Sequence, residues 1–557
     1  MKMKKFLGLL AILLGFFIAL LDTTIVNITL PKITEHFNTD IKTISWVLNG
    51  YNLAFAVILI TASRLADQFG RKKIYLIGVT FFTITSFLCG ISTSVEMMIT
   101  FRILQGFSAA LVVPVTMPMS MELISKEKRG ALMGFWGAFG GLAAASGPAV
   151  GGILTDKFNW QWIFYINIPI GILAIILTIF LIRESYDPTS SKKVDWLGII
   201  TLSVSLFAVV LALIQAADTG WTSLYILSLF AISLFFLSLF VFIEQKSQEP
   251  MVPLELFRNL PFSAGSLSFL MVGLGLMSGA FLLSFFLTKA MGLSELESGL
   301  IITAMPLTAI PFSAISGPLS QKFGSRWFIV TGMICLTAMI YLCGDLTLYS
   351  SKWDIVWRLI LGGAGIGLTM APLMSTTVNA VPEDKIGIAS GVTNMARTFG
   401  TVLGVALLVT ILNGNINNII PDAQSKAISI VQSSSSLDNH GKKELIDELK
   451  AADFSESNSI PSKEETLKKI ENKKEDVLKV APPQAQESIK MSFEQGKKAI
   501  ETLYPEIEEN FKSHVSKAFS NTFKTASFIM LLGVLFAYYS DSTQKQASSK
   551  RRKTTSA

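Results

Sequence analysis

Charged residues are scarce in this chain. Asp, Glu, Lys and Arg make up 16% of its 557 residues against 51% hydrophobic ones, and the mean hydropathy is +0.52. A water-soluble protein of this length needs far more polar surface, so the balance excludes a soluble fold and indicates an integral membrane protein. The three cysteines, Cys89, Cys335 and Cys343, all fall in apolar stretches without metal-ligand spacing; this speaks against a disulfide framework and a metal centre. The three histidines, His36, His440 and His514, lie outside the apolar stretches and form no relay inside a bilayer. No Gly-x-x-x-x-Gly-Lys-Ser/Thr segment is present, which argues against a built-in ATPase. No nucleophile elbow or His/Cys constellation appears either, so neither an enzyme nor a bound cofactor is expected.

What is abundant is apolar sequence in lengths that cross a bilayer. Windows of about 20 residues give fourteen spans, near 6–28, 44–66, 74–94, 97–119, 131–154, 161–182, 195–215, 223–243, 262–288, 298–319, 327–345, 353–376, 388–412 and 523–540. The first run leads into Pro31 rather than a small-residue cleavage site, so no cleavable signal peptide is expected. Basic residues crowd one side: Arg71, Lys72, Lys73, Lys192, Lys193 and the tail Lys550-Arg551-Arg552-Lys553, against Lys32, Lys42, Lys157, Lys289 and Lys352 on the other. By the positive-inside rule both termini are cytoplasmic in a multi-pass cell-membrane protein. The same asymmetry explains the net charge of +7 without any nucleic-acid patch. The excess of Lys over Arg hints at an AT-rich bacterial genome.

Within the first span stands a lone acid, Asp22. A carboxylate at that depth costs several kcal/mol unless it is paired, protonated or wetted. Two readings follow: a proton carrier, or a structural hydrogen bond to a neighbouring helix. Arg102, a few residues inside the fourth span, is too deep for a topology signal and needs an acid or a carbonyl as partner.

A degenerate repeat runs through the chain. Ser63 to Arg71 aligns with Gly317 to Ser325, Phe101 to Gly106 with Trp357 to Gly362, and Gly130-x-x-x-Gly134 with Gly387-x-x-x-Gly391, at offsets of 254, 256 and 257 residues. The ordered set implies two six-helix halves separated by a hairpin, the arrangement with which many secondary transporters alternate access. The divisions read 1–194 for the first half, 195–244 for the hairpin and 245–413 for spans nine to thirteen. They continue with 414–522, a polar outer insertion, and 523–557 for the last span and basic tail. In the insertion Leu467, Ile470, Val477 and Leu478, and again Ile489, Phe493 and Ile500, recur at helical spacing, with Pro482-Pro483 and Pro505 as punctuation. Two readings stand: amphipathic helices over the outer mouth, open to an extracellular partner, or a solvated loop.

Four motifs in order resemble the major facilitator superfamily, specifically its fourteen-helix drug/proton antiporter family. They are Leu21-Asp22-Thr23-Thr24-Ile25-Val26-Asn27-Ile28-Thr29-Leu30-Pro31, Leu65-Ala66-Asp67-x-x-Gly70-Arg71-Lys72, Arg102-x-x-Gln105-Gly106 and Gly147-Pro148-x-x-Gly151-Gly152. Trp160-Gln161-Trp162-Ile163-Phe164-Tyr165-Ile166-Asn167-Ile168-Pro169 is a further hallmark of that branch. The resemblance implies an all-α major facilitator fold and no catalytic residues. It also implies proton coupling through Asp22 and Arg102, a cytoplasmic gate at Asp67, Gly70, Arg71 and Lys72, and an antiporter motif at Gly147, Pro148, Gly151 and Gly152. Asn27, Tyr51, Asn52, Gln105, Asn394 and Arg397 are the candidates for the substrate cavity.

The departures narrow the substrate. Ser63 replaces the usual Gly of the gate motif, Gln161 stands where Arg is common, and Gln321 occupies the place of Asp67 in the second copy. Spans ten and thirteen carry no acid, where relatives that export dications place carboxylates. The expectation is a monomeric, proton-coupled antiporter that exports neutral, monocationic or zwitterionic amphiphiles, with the proton as coupling ion and membrane lipid as its surroundings. A lipid or lipid-linked glycan flippase is the alternative. A non-transporting receptor or assembly protein fits less well, because the coupling motifs are intact.

Overall fold

The structure is a computed structural model that describes residues 2–124, 129–186, 195–247, 250, 252–382, 386–434, a few positions between 442 and 449, and 486–541. Among these residues every regular element is helical, as a bilayer demands of backbone amides that have no water to bond. Fifteen α-helices follow in order among the described residues: α1 Lys2–Phe37, α2 Ile41–Phe69, α3 Arg71–Gly90, α4 Val95–Leu123, α5 Arg129–Lys157, the single turn α6 Trp162–Tyr165 and α7 Asn167–Leu181. The order continues with α8 Trp196–Thr219, α9 Leu224–Lys246, α10 Leu260–Phe285, α11 Glu295–Phe323, α12 Arg326–Cys343, α13 Lys352–Asn379, α14 Ile386–Ser433 and α15 Gln486–Tyr539. A π-helical turn, Phe286–Ala290, extends α10. Among the described residues twelve stretches are long and apolar enough to cross a membrane; α2 and α5 are not among these twelve, and α6 with α7 count as one.

Polar residues at the helix starts fix the boundaries. Asp40, Ser94, Ser294 and Ser351 each accept a hydrogen bond from a backbone N–H of the first turn of α2, α4, α11 and α13. Two corners of the repeat end in the same way: Gly70 after α2 and Gly324 after α11 both adopt positive φ, +108° and +90°.

Two groups of helices pack side by side. In the first, α1 lies against α4, α5 and α7, while α4 also packs on α2 and α3. In the second, α10 packs on α14 and α15, and α13 on α11 and α12. The groups meet where α5 touches α11, α2 touches α14 and α1 touches α10. The α8–α9 hairpin leans on α14 and α2 through α8, with Thr410 Oγ1 donating to Leu213 O and the Trp46 and Phe207 rings 5.7 Å apart. Only 11% of the apolar window of α9 is buried, so α9 is peripheral.

The region expected as a separate insertion begins without a break. The 48 residues of α14 form one helix of about 72 Å, more than twice a hydrocarbon core of about 30 Å. The other long helix, α15, runs back beside it through Pro505, which does not interrupt it. Together they form a stalk whose small core holds Ala423, Ala427 and Val431 of α14 and Leu503, Ile507 and Phe511 of α15, with Leu449 from the segment between them. Asn510 Nδ2 donates to Ala423 O at 2.9 Å and Asn415 Nδ2 to Thr522 Oγ1 at 3.0 Å. The stalk base is tied to the α12–α13 connection: Lys524 pairs with Asp345 at 3.0 Å, Ser520 Oγ donates to Gly344 O, and the Tyr349 hydroxyl donates to Glu509. That carboxylate holds the Tyr349 phenol above its usual range. The expected pattern of Leu467, Ile470, Val477 and Leu478 lies outside the described residues, as do the side chains of Ile489, Phe493 and Ile500.

Candidate functional site

Asp22 sits in the middle of α1 with no exposure, and four further helices supply what surrounds it. Arg102 and Gln105 are three residues apart on α4, which puts them on one face. Arg102 Nη1 donates to Asp22 Oδ2 at 2.5 Å and to Gln105 Oε1 at 2.7 Å, while Gln105 Nε2 donates to Asp22 Oδ1 at 3.1 Å. Asn167, the first residue of α7, donates from Nδ2 to Asp22 Oδ1 at 3.2 Å and to Ser86 Oγ of α3 at 3.0 Å. Helix α2 supplies Val47 O, which accepts from Arg102 Nε at 3.1 Å, and the Tyr51 ring, 4.2 Å from the guanidinium carbon. Gly106 makes this approach of α2 to α4 feasible: a Cβ there would stand 2.2 Å from Tyr51 O.

The chemistry of this cluster is one-sided. Every group that faces the carboxylate is a donor, so the shell matches an ionised Asp22, and the charge of Arg102 balances it. Two buried atoms beside it, Arg102 Nη2 and Asn167 Oδ1, have no hydrogen-bond partner among the described residues. The structure therefore brings Gln105 and Tyr51, candidates for a substrate cavity, into the Asp22 cluster, and Tyr51 donates its hydroxyl to Ala19 O at 3.3 Å.

The Gly70 corner gathers acids around its cations. Arg71 Nη1 pairs with Glu122 of α4 at 2.9 Å, and Lys72 Nζ donates to Ile179 O in the last turn of α7 at 2.9 Å. The Glu184 carboxylate accepts from the backbone of Lys72 at 2.8 Å and Lys73 at 3.1 Å, capping α3 as the dipole of a helix start favours. A Cβ on Gly70 would lie 2.6 Å from that carboxyl carbon, so glycine is required here by space as well as by φ. The second repeat uses the same device: Asp541, just beyond α15, accepts from Ser325 N and Arg326 N at 3.0 Å each. The side chain of Asp67 lies outside the described residues.

The small residues of α5 touch two partners. A Cβ on Gly147 would meet Thr24 Oγ1 at 1.9 Å and one on Gly151 would meet Ile25 O at 2.8 Å, both in α1. Toward the other helix group, Pro148 O lies 2.2 Å from where Gly299 would carry a Cβ, and Glu295 O lies 2.5 Å from that of Gly152. Near this end Ser284 Oγ donates to Asn27 O at 2.8 Å, and Lys289 pairs with Glu35 at 2.5 Å.

The remaining candidates are spread more widely. Asn27 donates to Thr23 O on its own helix at 3.2 Å, and Asn394 to Ser390 O at 3.0 Å. Asn52 is nearly enclosed on α2, one turn from Asn49, whose amide nitrogen and oxygen are both buried and unpartnered among the described residues. Arg397 is half-buried; its Nε is enclosed without a partner, and its guanidinium has no acidic partner among the described residues. Sequence reasoning missed the site roles of Asn167, Ser86, Glu122 and Glu184. Asn167 carried a signal, since it lies within the Trp160 to Pro169 motif; an exposed Glu184 carried none.

The family model of the Major Facilitator Superfamily matches residues 12–405. The chain is 31% identical to a tetracenomycin C resistance and export protein of Streptomyces glaucescens over 75% of this chain and 78% of that one. It is 32% identical to the multidrug transporter protein MdtP of Bacillus subtilis (strain 168) over 75% and 77%. The fold resembles a bacterial homologue of the human lysosomal transporter Spinster, at 15% identity and a TM-score of 0.62 over 97% of both chains. With its two helix groups and with relatives that are named resistance and export proteins, this chain belongs to the Major Facilitator Superfamily.

Proposed function

We propose that the protein is a proton-coupled antiporter that exports small amphiphilic compounds, neutral, monocationic or zwitterionic, from the cytoplasm or inner leaflet. The observation that carries this reading is the enclosed Asp22–Arg102 pair with its amide donors, because a charge of this kind inside a bilayer serves function by default. The names of the relatives support drug export. The sequence bias in Lys and Arg supports cytoplasmic termini, so a proton that enters from outside moves down both its gradient and the potential. One charge moved inward gains about 2.3 kcal/mol per 100 mV, enough to sustain a useful drug gradient without ATP.

The contacts around α5 supply a route from proton to motion. Asp22 is two residues from Thr24 and three from Ile25, the α1 groups that meet Gly147 and Gly151. The same helix faces α11 through Pro148 and Gly152, so a shift of α1 reaches the seam between the halves through one closely packed element. Protonation of Asp22 removes half of an ion pair and supplies such a shift. The absence of an acid in α11 beyond Glu297 and in α14 before Asp422, with Arg397 lacking an acidic partner among the described residues, supports substrates other than dications.

Efflux of ethidium from energised cells tests this reading, with Asp22→Asn beside the parent and a protonophore added to each. Loss of concentrative efflux in Asp22→Asn and in the uncoupled parent, at equal membrane abundance, is expected. Continued uphill efflux by Asp22→Asn rules out this acid as the proton carrier.

A further inference from the structure

We propose that Asn167 reads the protonation state of Asp22 by reversing its side-chain amide, and is the positioning residue that passes that state to α3 and the α6–α7 junction. The inference rests on Asp22 being the acid that titrates during transport. Protonation forms one O–H bond on Asp22 and turns an acceptor into a donor; no other covalent bond changes. That new donor needs an acceptor in a shell now made only of donors.

Three neighbours are available and two are excluded. Arg102 has no acceptor atom. Gln105 is locked, because its Oε1 accepts Arg102 Nη1 at 2.7 Å and faces Cys89 Sγ at 3.7 Å; reversing its amide would set an NH2 group against the guanidinium. Asn167 is different. Its Oδ1 is buried and has no partner among the described residues, so reversal gives up no bond made by that oxygen. A reversed Asn167 presents Oδ1 to the Asp22 O–H.

The same reversal reaches Ser86. In the present state Ser86 Oγ accepts from Asn167 and donates to Phe164 O at 2.9 Å, which ties α3 to the turn before α7. With Oδ1 turned inward, the Ser86 hydroxyl is drawn from Phe164 O to Asn167, and the tie is released. The other titratable groups facing the carboxylate are Arg102 of α4, Tyr51 of α2 and Cys89 of α3; among the described residues α5, α7 and α10 bring none.

The test is isotope-edited infrared spectroscopy of the full chain in lipid nanodiscs, with 13C in the asparagine side-chain carbonyl. Acid-minus-alkaline difference spectra are recorded for the parent, Asp22→Asn, Asn167→Leu and Ser86→Ala. The parent is expected to show an asparagine carbonyl band moving to lower frequency as the Asp22 carboxyl band appears. The moving band is absent in Asp22→Asn and Asn167→Leu and kept in Ser86→Ala. A carboxyl band with no moving asparagine band, or a moving band that survives in Asp22→Asn, overturns the assignment. If the parent shows no carboxyl band that Asp22→Asn removes, the proton-carrier reading falls, and this inference with it. Should Asn167→Leu fail to fold, Asn167→Gln, which keeps an amide but carries no asparagine label, takes its place, and a moving band that survives in it overturns the assignment. In everted vesicles, Asn167→Leu lowers proton-driven ethidium uptake about tenfold or more at equal membrane abundance, the scale of one lost hydrogen bond to a reacting charge.

Discussion

Replacing Arg102 by Met removes every donor of a fully enclosed guanidinium while keeping much of its length and apolar stem. The pair to Asp22 at 2.5 Å is lost, and so are the bonds to Gln105 Oε1 at 2.7 Å and Val47 O at 3.1 Å. Breaking a buried ion pair from one side costs about 3–5 kcal/mol, because a charge stays behind without its partner. Here Gln105 and Asn167 still donate to Asp22, which places the expected loss near the lower end of that range. The second change, Asp22→Asn in the Arg102→Met background, removes the stranded charge and should recover about 2–3 kcal/mol. Reversible unfolding of the four proteins in mixed detergent micelles gives the coupling energy directly. The deficit of Arg102→Met should also shrink at acid pH, where the carboxyl left behind is neutral, whereas the double variant shows no such trend. A coupling energy below about 1 kcal/mol would refute the reasoning, since that is the range of exposed pairs.

Two further outcomes follow from the close contacts. Gly70→Ala forces a side chain into φ +108° and against the Glu184 carboxyl, so it should cost about 2–3 kcal/mol, more than the roughly 1 kcal/mol of Glu184→Ala, and the two losses should not add; unfolding of the single and double variants checks this. Gly299→Leu drives a side chain into Pro148 O and should abolish ethidium transport at unchanged membrane abundance; full activity would show that α5 and α11 need not approach so closely.

Much of this architecture was legible because a bilayer leaves the sequence little freedom. Asp22 and Arg102 stood out as ions in apolar runs, and Arg102 in particular as a cation that needs an acid or a carbonyl for a partner. The structure pairs them. The repeat was legible through Gly70 and Gly324, since a corner that needs positive φ keeps its glycine while the residues around it drift. The partners of the corner were not legible. Glu184 and Asp541 act through exposed or terminal carboxylates whose sequence surroundings resemble any loop, and only the return of α7 and α15 to the same face brings them there. Gln105 stood among the cavity candidates; its orientation is set by Arg102 on its own helix and by Asp22 on α1, and the second of these is a long-range fact that spacing does not encode. The length of α14 escaped because a hydropathy window ends where polarity begins, although the helix does not.

The two long helices beyond the apolar region act as a lever arm. The stalk is continuous with α14 and α15 and fastened to the α12–α13 connection, so it moves with the second helix group as one piece. The roughly 20 residues of α14 past its apolar run project about 30 Å, and a rotation of that group by about 10° would sweep the tip through about 5 Å. Motion at the seam is thus displayed, magnified, at a distance from the membrane. A ligand that grips the tip of the stalk acts with the same mechanical advantage in reverse, and could hold the transporter still without entering its interior.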